Sequence, residues 1–224
     1  MAQNANILDT KQRILNAAEK LFAEHGLAAA SLRAITAEAG VNLASVNYHF
    51  HSKAELIRAL YRRRLEPINR HRFEMLDAAE REAGSKPAAL ARIVDALVGP
   101  VLEAKADNDE GGVPVLLGRF YAEPGGLAGE MLQEQMVEVA RRFGVALHRA
   151  LPKLPRSELA WRTHFVIGAL AHTMVAGRLL ELISGGECNS RDVEGARRYL
   201  TAFALAGLKA PITKAAKPAR SVKS

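Results

Sequence analysis

Residues 42–49 read Asn-Leu-Ala-Ser-Val-Asn-Tyr-His, and with Val46 turned inward the rest form an outward set without a single acid. Hydroxyls, amides, an imidazole and a phenol on one short helix can donate to phosphate oxygens and meet base edges in a groove. Gly40, just upstream, tolerates positive φ where two steeply crossing helices need a tight turn. Ile35, Ala39, Val41 and Val46 are apolar where such a pair buries a small core. A helix-turn-helix over 32–51 follows, with two readings open. Its second helix enters the major groove of DNA, or the pair is a helical hairpin packed on another surface.

Other chemistry is not written in the chain. Cys188 is the only cysteine, so there is no internal disulfide and no cysteine metal site. Among seven histidines, His164 and His172 lie eight apart, too far along one helix to share an ion, and there is no HExxH. GxSxG, Walker and GxGxxG patterns are missing as well. We expect no metal, no cofactor and no enzyme activity. A helical ligand-binding or enzymatic domain without operator binding stays as the alternative.

Charge is uneven along the chain. Residues 1–64 hold nine basic and five acidic side chains, and 210–224 hold four bases and no acid, while the stretch between is nearly neutral. A polyanion met by the N-terminal part fits that asymmetry. The start lacks the apolar run of a secretory signal, and the longest uncharged stretch, 163–177, falls short of the roughly 20 residues a membrane span needs. The expectation is a cytoplasmic protein with no membrane partner.

The elements that must hold these residues are helical throughout. Asp9 or Thr10 is placed to cap a first helix whose apolar stripe is Ile14, Leu15, Ala18, Leu21 and Phe22, ended by Gly26. Ser31 caps a short second helix, and Ser52 caps a fourth that starts at Lys53 and that Pro67 kinks or ends. A helix then runs from about 87 to 106, interrupted at Pro100; 107–113 is a loop, 114–122 short and apolar, 123–126 a turn. A helix over 127–151 and two apolar helices, 157–184 and 190–208, close the fold, and 210–224 is a basic, disordered tail. The fold class is therefore all-α. An N-terminal three-helix helix-turn-helix bundle (1–53) precedes a larger helical ligand-binding and dimerisation domain (54–209).

The stretch Ser31-Leu32-Arg33, Ala39-Gly40-Val41-Asn42 and Val46-Asn47-Tyr48-His49-Phe50-His51-Ser52-Lys53 resembles the TetR-type repressor family over residues 10–60. That resemblance implies a homodimer that binds double-stranded operator DNA and responds to a small molecule. It implies that Ser31 donates to a phosphate and that Arg33 reaches a base edge or phosphate. Leu43, Ala44, Ser45 and Asn47 would face the groove, and Tyr48, His49 and Lys53 the backbone. Asn47 departs from the tyrosine common there and could read an adenine edge. Thr36 stands where alanine is usual, so its hydroxyl needs a partner.

The segments 151–155, 158–165 and 168–169 resemble a subgroup that includes fatty-acid-responsive members, which puts long-chain acyl compounds first among apolar effectors. Met131, Met136, Phe143, Phe165 and Met174 are either ordinary core or walls for such an effector. Arg178 is the candidate for an anionic head group. Small residues at Gly168, Ala169, Ala176 and Gly177 would let a partner's helices approach closely, giving a four-helix dimer interface.

Overall fold

The computed structural model describes residues 2–106, 112–114, 118 and 126–212. Its helices are α1 (Ala2–His25), α2 (Leu32–Ala39), α3 (Leu43–Phe50), α4 (Lys53–Ala83), α5 (Leu90–Ala106), α6 (Leu127–Ala150), α7 (Arg156–Val175), α8 (Gly177–Ile183) and α9 (Val193–Lys209), with no strand among the described residues. No single described helix is long and apolar enough to cross a membrane. The loop, short apolar piece and turn expected over 107–126 fall largely on residues outside the described ones, as does the basic stretch 213–224.

α1, α2, α3 and the first turns of α4 form a head around Ile14, Leu15, Ala18, Phe22, Ile35, Ala39, Val46, Phe50, Leu56 and Leu60, all buried. Ser31 caps α2 by accepting from the Ala34 amide at 3.1 Å. Gly40 ends α2 with φ 61° and ψ 40°, a left-handed conformation that suits glycine. It has a second reason to be glycine. Arg13 of α1 donates to the Ala39 and Gly40 carbonyls at 2.7 and 3.0 Å, and a Cβ at position 40 would meet its guanidinium at 2.8 Å. A cation thus closes the C-terminal end of α2, where the helix leaves bare carbonyls. The Thr36 hydroxyl finds its partner locally, donating to the Arg33 carbonyl at 2.9 Å.

Three helix boundaries differ from the sequence expectation. α1 does not start at Asp9 or Thr10 but runs from Ala2, because no proline or glycine in 2–8 stops it. α4 is not ended at Pro67: it continues for 31 residues, with Pro67 on the exposed side. There the carbonyl deprived of its amide partner can take water. Pro100 likewise lies within α5 without ending it.

The helix expected over 157–184 is two helices bent by 87° at Ala176. Lys105 of α5 donates to the Thr173 and Ser190 carbonyls at 3.1 and 2.9 Å, and Glu181 accepts from the Ser190 amide and hydroxyl. A Cβ on Gly177 would come within 2.8 Å of the Ser190 side chain. The bend is therefore held by contacts inside the subunit.

In the body, α5 is the central element, with Ile93, Val94, Ala96, Leu97, Val98, Val101 and Leu102 buried between α4, α6, α7 and α9. Arg197 of α9 clamps Asp95 of α5 with two bonds of 2.6 Å and reaches Glu103 at 2.8 Å. Arg162 of α7 donates to the carbonyls of Gly207, Leu208, Ala210 and Pro211 and to Glu158, closing the end of α9. α4 belongs to both parts. Its early residues complete the head core, and Leu65, Ile68, Leu76 and Ala79 enter the body core.

Candidate nucleic-acid interface and internal cavity

α3 is short and amphipathic, and Val46 and Phe50, four apart, fix which side is buried. Asn42 caps it, accepting from the Ser45 amide at 2.8 Å and from the Ser45 hydroxyl at 3.0 Å. Its opposite side carries Leu43, Ala44, Asn47 and Tyr48, all exposed, with Tyr48 the most open at 71%. Ser45 is half-buried, its hydroxyl proton directed to the cap. His49 is half-buried with its ring edge-on to Tyr48 at 5.1 Å. Burial, and secondarily the charge of Lys11, hold His49 below the usual histidine value, so the ring is neutral at pH 7.

Ser31 and Arg33, at the start of α2, are exposed. Lys53 opens α4 and donates to the Ala28 carbonyl at 3.0 Å, tying α4 to the turn between α1 and α2; burial lowers its pKa. Sequence reasoning placed Lys53 on a phosphate without foreseeing this internal bond. Lys11 was missed altogether: it sits over the Phe50 ring at 5.9 Å, adding positive charge beside α3. The only sign of it was the general basicity of residues 1–64. The joint between α3 and α4 is equally specific. His51 has φ 60° and ψ −38°, and the Ser52 amide donates to the Phe50 carbonyl at 2.6 Å, a three-residue turn that non-glycine residues rarely adopt.

α4 then runs to a second feature. Between α4, α5, α6 and α7 lies a half-open cavity of about 1390 Å³ whose walls are mainly Leu65, Ile68, Leu97, Val101, Met136, Val139, Phe143, Leu159 and Leu170, with Val145 and His164 at its exposed rim. Most drug-sized ligands occupy sites of about 300–1,000 Å³, so the space suits a long or bulky guest. Of the six side chains named from sequence, Met136 and Phe143 line it. Met131 and Met174 are buried outside the lining, Phe165 is 59% exposed, and Arg178 lies on the surface. Arg72, buried at 5% exposure, lines the cavity and was not singled out. A signal existed: Leu65, Ile68, Arg72, Leu76 and Ala79 follow one stripe at helical spacing.

Two sets of contacts couple these features. Glu19 of α1, 8% exposed, takes Arg63 at 2.5 Å and Arg64 at 2.6 and 2.7 Å, so the head is tied to the middle of α4. Asn69 donates to the Gln135 carbonyl at 3.0 Å, and Arg58 and Asp77 pair with Glu134 and Arg142, so α4 is tied to α6 along the cavity wall. At the far side of the body, α7 and α9 expose Trp161, Phe165, Tyr199 and Phe203 at 59–69%. Gly168 is exposed at the rim of the cavity, which it helps to line, with no atom within 4 Å of a Cβ there; Ala169 is half-buried, Ala176 sits at the bend, and Gly177 faces Ser190 of its own chain.

Residues 14–60 match the family described as bacterial regulatory proteins, tetR family, and residues 95–207 match the tetracyclin repressor-like C-terminal domain. The HTH-type transcriptional regulator SrpR of Pseudomonas putida is 37% identical over 60 residues, 27% of this chain and 28% of that protein, so the match spans little more than a quarter of that relative. The fold is shared with the fatty acid degradation regulator FadR from Bacillus halodurans (TM-score 0.60, 15% identity, 86% of this chain and 94% of that one). It is shared also with SmeT in its complex with triclosan (TM-score 0.61, 22% identity, 91% and 96%).

Proposed function

The chain belongs to the TetR family of bacterial regulatory proteins, and from that premise we propose that it is a cytoplasmic, sequence-specific DNA-binding regulator, a repressor that a small apolar ligand releases from its operator. The observation that carries this reading is the unbroken path of α4. Its first turn is fixed to the α3 surface by the His51 turn, and its middle, at Leu65, Ile68 and Arg72, forms a wall of a cavity large enough for a substantial guest. Residues 1–53 then act as the DNA-binding part and 54–209 as the effector and dimerisation part, with α4 crossing the boundary. Ser31, Arg33, Leu43, Ala44, Ser45, Asn47, Tyr48, His49 and Lys53 supply the DNA contacts.

A homodimer is part of the proposal. Four large apolar side chains on the outward faces of α7 and α9, joined by the Arg162 clamp, support an interface there, with Gly168 open for close approach. Two-fold symmetry would place the two α3 helices on half-sites about 34–36 Å apart or a multiple of it, making the operator an inverted repeat. A ligand that binds better with α4 tilted changes that separation and breaks simultaneous contact. Long-chain acyl compounds are the first class to test; a relative in fold is named for fatty acid degradation, and another is seen with triclosan. The relatives carry the names of regulators, which supports a non-enzyme.

A gel shift with DNA from upstream of the chain's own gene tests the reading. Retardation at an inverted repeat, reversed by an apolar ligand, is expected. Binding with no preference over random DNA at physiological salt would remove operator recognition.

A further inference from the structure

The cavity wall includes a buried cation, Arg72, that no described residue matches with a counter-charge. Arg72 donates from Nε to the Leu97 carbonyl at 2.9 Å and from Nη1 to Asn69 Oδ1 at 3.0 Å, with the Met136 sulfur 3.9 Å away. Nη2 donates to no described residue, and no carboxylate among the described residues pairs with the guanidinium. The other arginines packed into the body are treated differently. Arg162 meets Glu158 and four carbonyls, and Arg197 meets two carboxylates. Burial alone pulls Arg72 down to about 10, which still leaves it charged at pH 7. A buried cation with the two Nη2 donors unused is costly unless something anionic completes it.

The surroundings agree in sign. Among the described lining residues Arg72, Arg141 and Arg156 face one carboxylate, Glu130, with Arg141 already paired to Glu138 outside the lining. Farther along α6, His148 also lines it and keeps Nδ1 buried without a hydrogen-bond partner. His148 lies twelve residues beyond Met136, roughly 18 Å along the helix. Between the two polar points the α6 wall is mostly apolar, with Val139, Ala140, Phe143 and Val145 and the one charged residue Arg141.

We propose that the effector is an elongated organic anion, a carboxylate or sulfonate on an apolar body, whose head group takes the free edge of Arg72 while its body runs along α6 towards His148. The inference rests on the reading that this cavity holds the effector. It moves the head-group anchor from the exposed Arg178 to Arg72. Nη2 offers two free N–H donors to the head group, while the Nε bond to Leu97 and the Nη1 bond to Asn69 keep the plane fixed.

Two dyes isolate the charge. 1-Anilinonaphthalene-8-sulfonate and N-phenyl-1-naphthylamine share one aromatic body and differ by the sulfonate. The wild-type protein should bind the sulfonate about ten- to hundredfold more tightly, the range of a charge-assisted bond. Arg72→Met should erase most of that preference and leave the neutral dye within about threefold of its wild-type affinity. Decanoate and decan-1-ol, used as competitors, should repeat the pattern. The exposed face of α7 and α9 also attracts dyes, but a change on substituting Arg72 reports the cavity. If Arg72→Met does not fold, Arg72→Lys should keep the charge and lose part of the preference, and a preference unchanged in Arg72→Lys overturns the proposal. Equal binding of the two dyes, binding of neither, or a preference that survives Arg72→Met overturns the proposal. Dyes that bind equally yet release operator DNA leave the regulator standing without the anchor. A preference that tracks Arg72 with no effect on operator binding does the reverse.

Discussion

In the head, cations are used to finish the structure: Arg13 closes α2, and Arg63 and Arg64 converge on Glu19. In the body, Arg72 faces a cavity with no carboxylate among the described residues paired to it, and four large apolar side chains of α7 and α9 face solvent. The head is a settled scaffold that presents one surface, and its core packs down to Ile14 and Ile35 at 0% exposure. The body is settled around α5 and at the Arg162 and Lys105 clamps, and unfinished at the cavity and the outer face of α7 and α9. The difference separates two kinds of recognition: a surface that must be rigid to read a fixed partner, and an interior that changes its equilibrium when occupied.

The largest effect should come from the unfinished outer face. Phe203→Glu or Trp161→Glu places a charge where little is buried within the subunit, so the monomer should fold as before. Sedimentation should show loss of the dimer, and operator affinity should fall by roughly a thousandfold, towards the non-specific level. Dimers that persist in both variants would move the interface elsewhere and weaken the contrast between head and body.

Next is the joint between the regions. Glu19→Gln leaves Arg63 and Arg64 against a neutral amide in a half-buried site. Stability in urea should drop by about 3 kcal/mol, towards the low end for a broken buried pair because both arginines keep some solvent contact. A change under about 0.5 kcal/mol would place this cluster among ordinary surface pairs and remove it as a coupling device.

Within the head, reading and positioning should separate. Asn47→Ala should cost about 1–3 kcal/mol of operator affinity and relax preference at one base pair. Lys53→Ala should weaken all sequences alike and reduce the salt slope by about one unit. Because Lys53 also holds the Ala28 carbonyl, it should lower stability by about 1 kcal/mol too. Unaltered base preference in Asn47→Ala, measured by randomised-site selection, would make α3 a positioning element only.

The head was far more legible than the body, and for a physical reason. Ser31, Gly40 and Ser52 act over three or four residues, so their types reveal their roles. The apolar pattern of α3 likewise tells which side is buried. Pro67 misleads because a long helix packed on both sides tolerates one lost bond, and the bend at Ala176 depends on Lys105 and Ser190, far away in sequence. In the cavity, residue type alone cannot separate a wall from core: Met136 lines it and Met131 does not. Arg72 is legible in register but not in type, since arginine on a charged helix reads first as solvated.

The smallest effect tests whether the settled region is also electrostatically poised. His49 has a folded pKa below its ordinary value, from burial first and from Lys11 second. Well above the ordinary histidine value of about 6.5 the ring is neutral in folded and unfolded chains alike and gives no pH dependence. Below that, the unfolded chain takes up the proton first, so the contribution to stability is lost as pH falls through the depressed folded value. Lys11→Met should raise the folded pKa and narrow that window. Operator DNA should act with the opposite sign: a phosphate beside the ring favours the imidazolium, so binding should take up a proton and tighten as pH falls. Acid would then weaken the free head while strengthening its grip on DNA, and His49→Gln should flatten both trends. Titration of the imidazole resonances by NMR, with and without operator, decides the matter. A His49 pKa unmoved by DNA would take the ring away from the backbone and leave Tyr48, Lys53 and the α2 start to position the helix.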